Sequence, residues 1–407
     1  MSDRRLLLLG GAILLRGLNP RTRVLASSIA SNFPRVDLVG MENFYSGPPA
    51  SPFKKAWKGL LNLARCRVVT EAEGGVRRIV VRSLFAPEPL DLLVQDIWYY
   101  LNLRRVLDPP YDLGILTDPR YAWLAWMLKR SGCFRRMLYD DCDYHPGLHT
   151  NAIARWAMGR REQLCVDMAD GITTINHLLA GVRRQQGAKN ILVMPNGVEL
   201  SHFQRARDKR PHPPTLAYIG TLDSAWGVDL VIRAMPELAR RIPGVRLLIA
   251  GTGPAEKELR ALSREIGAES HVVFLGLLRR EDVPNVLAEA DVGVATSRLD
   301  SSFRKYATPL KLVEYMAAGM AVIATRVGQT EIMMQQSQAG ALIDFDVAQF
   351  VEAAARLFQD QAYYATCIAN GSRYAAQYDW NALMQQAHAF MMSIIDGNDV
   401  KEALPAA

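Results

Sequence analysis

The chain has 407 residues, 49% of them hydrophobic and 22% charged, with a formal net charge of +7. That length exceeds one ordinary core and suits two domains of roughly 150–200 residues each; the composition is that of a globular protein and excludes a disordered one. No stretch supplies about 18 consecutive apolar residues, so no membrane-spanning helix is expected. The five cysteines, Cys66, Cys133, Cys142, Cys165 and Cys367, are scattered and form no C-x-x-C pair, which argues against a disulfide framework or zinc site and fits a reducing compartment.

In chain order, the apolar run Leu6–Leu15 is short, contains Gly10 and Gly11, and is followed by Arg16 and Asn19. It lacks the small-residue cleavage site of a signal peptide and reads as a buried first strand, so the chain is expected to stay in the cytoplasm. Val36–Val39 and Leu113–Leu116 read as further strands, with Met137–Tyr139 and Gly171–Thr174 as weaker ones. Between them, residues 51–67 place Phe53, Trp57, Leu60, Leu61 and Ala64 on one helical face and Lys54, Lys55, Lys58 and Arg65 mostly around the other. Such a helix can lie in a bilayer interface or pack on a sheet with its lysines in water. Residues 1–110 hold 16 Lys and Arg against 9 Asp and Glu, and this asymmetry points to an anionic membrane surface touched by Lys54, Lys55, Trp57 and Lys58. Trp98-Tyr99-Tyr100 followed by Arg104-Arg105 can extend that patch.

After the strand at 137–139 comes a cluster of Asp140, Asp141, Asp143 and His145. A carboxylate there can act as a general base on a hydroxyl or stabilise developing positive charge, with Asp143 first and Asp140 next. The competing reading is a turn whose Asp side chains cap the following helix. Metal ligation by this D-D-x-D-x-H set is a weak reading, and no metal is expected. Asp118, just past the strand Leu113–Leu116, is a further candidate.

Residues 196–214, rich in charge and proline, read as a linker between an N-terminal domain 1–195 and a C-terminal domain 215–380. The helix and tail at 381–407 are a candidate to cross back to the N-terminal domain. The second half alternates strands at 216–222, 245–251, 272–276, 291–296 and 321–325 with helices at 228–242, 255–267, 283–290 and 309–319, a repeated β-α-β winding. Residues 297–319 are the most informative. Thr308-Pro309 reads as a helix start, with Thr308 capping and Pro309 at the first helical position. A helix amino terminus after a strand's carboxyl end suits phosphate. Lys311 and Glu314, three apart on one helical face, can neutralise a diphosphate and accept both hydroxyls of a ribose; alone, the same pair is equally well a surface pair that stabilises the helix.

The same segment resembles the C-terminal signature of glycosyltransferase family 4 and its GT-B relatives. Residues 194–203, 218–235, 247–254, 272–297 and 321–332 match that family in order. The resemblance implies a GT-B fold, α/β with two Rossmann-like parallel-sheet domains facing across a cleft. It implies transfer of a sugar from a UDP- or GDP-linked donor to a hydroxyl of a lipid-linked or polysaccharide acceptor, without cofactor or metal. Carried over, Glu314 is the ribose-binding glutamate, Leu277 and Leu278 contact the base through backbone, and Gly251 and Gly253 allow close approach beside the nucleotide. The Asp140–His145 loop is similar to the one carrying an acceptor-side His or Asp. Two departures stand out. The first glutamate of the family's Glu-x7-Glu pair falls on Tyr306, and the basic diphosphate clamp falls on Thr221 and Trp226. Lys311, in a Pro309-Leu310-Lys311-x-x-Glu314 version of the helix, is expected to replace the clamp, with Arg304 and Lys305 behind it. A non-catalytic GT-B scaffold or partner subunit is the alternative. No helix-turn-helix, RNA-binding aromatic motif or finger supports a nucleic-acid partner, and no strand leads into G-x-G-x-x-G. The expected place is the inner face of a membrane, held peripherally.

Overall fold

The computed structural model describes residues 4–11, 20–42, 68–73, 75–83, 91–149, 151–207, 212–298 and 305–398. The chain divides into two compact units, Met1–Pro195 with Leu383–Ala407, and Asn196–Ala382. Among the described residues no helix is long and apolar enough to cross a membrane.

The first unit is built on β1 (Arg5–Gly11), β2 (Arg35–Glu42), β3 (Val68–Glu73), β4 (Val76–Arg82), β5 (Tyr111–Leu116), β6 (Phe134–Asp141), β7 (Gly171–Thr174) and β8 (Ile191–Val193). They form one sheet in the order β3-β4-β2-β1-β5-β6-β7-β8. All neighbours are parallel except β3 against β4. The middle strands read as continuous apolar runs because a parallel sheet is covered on both faces; Leu6, Leu7, Leu8 and Leu9 of β1 are all buried. The hairpin β3–β4 was not foreseen. Its strand β4 carries Arg77 and Arg78, which hide the apolar alternation; Arg77 pairs with Asp37 of β2 across the register.

In the second unit, β9 (Thr215–Ile219), β10 (Arg246–Ala250), β11 (Val272–Gly276), β12 (Val292–Ala295), β13 (Ala321–Thr325) and β14 (Gly340–Ile343) form a wholly parallel sheet ordered β11-β10-β9-β12-β13-β14. Winding reverses between β9 and β12, and the crevice at such a reversal is where open α/β sheets bind ligands. The helix Val228–Arg241 seals one face with Leu230, Val231, Ala234, Met235 and Leu238. The helix Leu310–Ala317 seals the other with Leu312, Val313 and Met316. Tyr315 fixes the register of that second helix. Its ring fills the space over Gly293 of β12, where a Cβ would lie 2.3 Å from the ring, and its hydroxyl accepts the Ile219 N–H at 2.8 Å.

Candidate functional site

The loops leaving β9 and β12 meet at the reversal of winding. Thr296 donates its hydroxyl to the Trp226 carbonyl at 2.8 Å, and the Arg298 N–H reaches the Ala225 carbonyl at 2.9 Å. A pocket there is lined by Trp226, Thr296, Ser297, Pro309, Lys311 and Thr330. The helix beyond it begins at Leu310, one residue later than the sequence suggests. Pro309 itself holds the cap position with extended backbone and supplies no capping side chain, so Thr308 is not the cap.

Lys311 is half-buried, with its ammonium 4.1 Å from the centre of the Tyr218 ring and 4.8 Å from that of Trp226. Gly220 leaves room for it: a Cβ there would sit 2.9 Å from the Lys311 nitrogen. Burial pushes Lys311 down to about 7, against the opposing charge of Glu314. Ring faces attract a cation but neutralise none of its charge. Glu314 stands one turn along, mostly buried, with a carboxylate oxygen 3.6 Å from the Arg280 guanidinium. Burial raises its pKa, while Arg280 and then Lys311 pull it down. A half-buried cation and a mostly buried acid thus share one helical face at the crevice, the cation without an acid within ion-pair distance among the described residues. Such an arrangement can receive an anionic group and an adjacent pair of hydroxyls.

The other expected donor residues fall around this centre unevenly. Tyr306 lies three residues before the cap, with the Lys305 ammonium 5.6 Å from its ring centre. Thr221 is exposed after β9, and the backbone carbonyl of Thr221 accepts the Tyr218 hydroxyl at 2.8 Å. Leu277 and Leu278 follow the end of β11, Leu277 largely exposed. The glycines Gly251 and Gly253 answer a different demand from the expected one. A Cβ on Gly251 would lie 1.9 Å from the Gly220 carbonyl oxygen, and one on Gly253 2.3 Å from that of Leu222. Their close approach is to the loop after β9, which they hold through Leu222 N–H to Thr252 and Ala255 N–H to Leu222. Arg304, Lys54, Lys55, Trp57 and Lys58 lie outside the described residues. Sequence reasoning missed Tyr218 as a wall of the lysine site and Arg280 as the partner of Glu314; neither carries a local motif.

In the first unit, β6 delivers the acidic cluster at its carboxyl end. Asp140 is 1% exposed and bound by the Arg21 guanidinium at 2.6 Å and the Thr173 hydroxyl at 2.6 Å. Burial would raise its pKa, but Arg21 outweighs this and holds it below the usual range. Locked in this way, Asp140 is a structural counter-ion and not a base poised for substrate. Asp141 takes two bonds from Arg183, at 2.7 and 2.9 Å, and Glu162 takes a third at 2.8 Å. Asp118 pairs with Arg120 and caps the following turn through the Arg120 N–H at 2.9 Å.

Asp143 differs from these. Its carboxylate has no hydrogen-bond or ion-pair partner among the described residues and is half-buried, and burial raises it to about 6 against the pull of His145. Next to it, the His145 ring nitrogen Nδ1 lies 3.0 Å from the Asp143 carbonyl and 3.5 Å from Glu162. Burial would lower His145, but the Glu162 contact and the charges of Asp118, Glu162 and Asp143 raise it. Asp141, His145 and Glu162 offer ligand atoms within 4.8 Å of one another. A cation there would have to displace Arg183 from two carboxylates, so the set does not suit a metal.

Residues 213–360 match the sequence pattern of the family described as glycosyl transferases group 1. The chain is 27% identical over 216 residues to a GDP-mannose-dependent alpha-(1-6)-phosphatidylinositol monomannoside mannosyltransferase of Mycobacterium tuberculosis, covering 50% of this chain and 56% of that one. It is 30% identical over 198 residues to the phosphatidyl-myo-inositol mannosyltransferase of Mycolicibacterium smegmatis, covering 47% and 49%. The chain therefore spans about half the length of the curated relatives it matches. Among solved structures, it is similar to sucrose-phosphate synthase of Thermosynechococcus elongatus, with a TM-score of 0.71, 20% identity, and coverage of 97% and 100%. Anabaena HepE in complex with UDP follows at a TM-score of 0.68 and 18% identity, with coverage of 96% and 100%. These likenesses establish the GT-B fold.

Proposed function

We propose that this chain, a GT-B protein of the glycosyltransferase family 4 type with a group 1 domain at residues 213–360, is a glycosyltransferase. It takes a sugar from a UDP- or GDP-linked donor to a hydroxyl of a lipid-linked or polysaccharide acceptor. The observation that carries the reading is the Lys311–Glu314 pair, a partly buried cation and acid on one helical face beside the reversal of winding. Relatives named as lipid mannosyltransferases support a lipid-linked acceptor.

In this reading the donor's diphosphate lies at the start of the helix Leu310–Ala317, where free N–H groups and the Lys311 ammonium offset its charge. Glu314 accepts the ribose hydroxyls, and Arg280 partly offsets the burial that raises its pKa. The acceptor oxygen bonds to the anomeric carbon as the bond to the phosphate oxygen breaks. The acceptor's proton passes to Asp143, whose raised pKa keeps it basic enough near neutrality, and the charge left on the nucleoside diphosphate falls to Lys311. No step requires a metal. Lys311 stands in for the basic clamp that Thr221 and Trp226 lack.

The test is a screen of UDP- and GDP-sugars with detection of released nucleotide, run on the chain and on Asp143→Ala. Release that depends on Asp143 supports the reading. A scaffold, for which the missing clamp is the argument, would neither release nucleotide nor be stabilised by it.

A further inference from the structure

Three helices of the first unit repeat one surface pattern. In Ala152–Met168, Ile153 and Trp156 are 75% and 69% exposed, and Arg160 follows four residues later. In Ala122–Arg130 the corresponding residues are Trp123, Trp126 and Arg130, with the Arg130 guanidinium 5.7 Å from the Trp126 ring centre. In Asp91–Leu103 they are Val94, Ile97 and Leu101, all exposed, with Arg104 and Arg105 just beyond. Positions i, i+3 and i+7 fall on one narrow stripe of a helix. The middle helix packs against both others, so the stripes lie side by side.

Two of the three helices follow β5 and β6 directly and start at the carboxyl edge of the sheet, the edge that carries Asp143 and His145. Leu148, also exposed, adds to the apolar side there. Arg105, Arg155 and Arg160 are exposed and make no side-chain ion pair among the described residues. The acids of these helices are Asp91, which opens the first of them, Asp96 and Glu162, both buried against arginines, and Asp167 at the far end. Exposed tryptophan and isoleucine beside several exposed arginines complement an anionic phospholipid surface better than a mixed-charge protein face.

We propose that this three-helix face is the surface by which the chain sits on an anionic bilayer, its apolar tips in the headgroup region and its arginines on phosphates. The inference rests on the lipid-linked acceptor reading only for its purpose; binding itself is tested apart from catalysis. The full chain is floated with vesicles of phosphatidylcholine containing about 30% phosphatidylglycerol, and with phosphatidylcholine alone. It is expected to float with the anionic vesicles and to lose partition by about tenfold or more in the double variant Ile153→Ser, Trp156→Ser. Arg130→Gln with Arg160→Gln should weaken binding several-fold, as should roughly 0.5 M salt. All variants should retain the parent's thermal stability and its response to nucleoside diphosphates, which separates loss of the surface from loss of the fold or of the donor site. A parent chain that ignores anionic vesicles, or an apolar variant that floats as well as the parent, overturns the proposal. So does light scattering that finds a dimer in the parent and a monomer in the apolar variant, which would assign the face to a second copy.

Discussion

Raising the pH from 7 to 9 should weaken nucleotide binding through one residue. Lys311 sits against two ring faces with burial holding it down to about 7, so the free protein loses this charge just above neutrality. A bound diphosphate favours the charged form and lifts the pKa, so binding takes up a proton wherever the free amine is neutral. The sign follows: the complex holds more protons than the free chain above pH 7, and affinity falls as pH rises. With a free-state value near 7, affinity drops about fivefold from pH 7 to 8 and about tenfold more from 8 to 9, roughly 2 kcal/mol in all. At pH 8 nearly one proton, about 0.9, should enter per nucleotide bound. Isothermal calorimetry with UDP and GDP, in buffers of different ionisation heat, reads both quantities. Lys311→Arg should keep binding and flatten the profile, because a guanidinium stays charged throughout. Affinity that is level from pH 7 to 9 with no proton uptake at pH 8 refutes the reasoning.

Three further outcomes are expected. Asp143→Asn should leave nucleotide affinity unchanged and lower transfer by about 10²–10⁴-fold, measured as nucleotide release at saturating donor. Asp141→Ala should cost about 3–5 kcal/mol in urea unfolding, because it strips two bonds from a fully buried Arg183. Gly251→Ala, at φ +140° and facing the Gly220 carbonyl, should cost about 1–3 kcal/mol in thermal melts and weaken nucleotide binding by shifting the loop that makes room for Lys311.

The sequence revealed most where structure is local. The five strands foreseen in the second half appear as β9 to β13 because each is a short apolar run, covered on both faces except at the edge strand β11. β14 escaped: GALI is short, and only one of its four residues is buried. The β3–β4 hairpin escaped because the adjacent Arg77 and Arg78 break the apolar alternation of β4, and the helix Pro20–Asn32 because its weak amphipathicity hides Arg21, whose partner Asp140 lies 119 residues away. The same distance problem limits the site reading. Lys311 and Glu314 share one helix and were legible together, whereas Tyr218 and Arg280 reach them only through the sheet order. Asp140, Asp141 and Asp143 look alike in sequence; what separates them is the arginine each does or does not meet, and Arg21 and Arg183 come from other helices. The helix foreseen at Thr308-Pro309 starts one residue later, with Pro309 itself at the cap.

The central claim is that Lys311 and Glu314 hold a nucleoside diphosphate, and calorimetric titration of UDP and GDP into the parent chain, Lys311→Ala and Glu314→Ala tests it most directly. The expected result is measurable binding of at least one nucleotide by the parent and none by either variant. Equal affinity in all three proteins, or no binding by the parent, would contradict it.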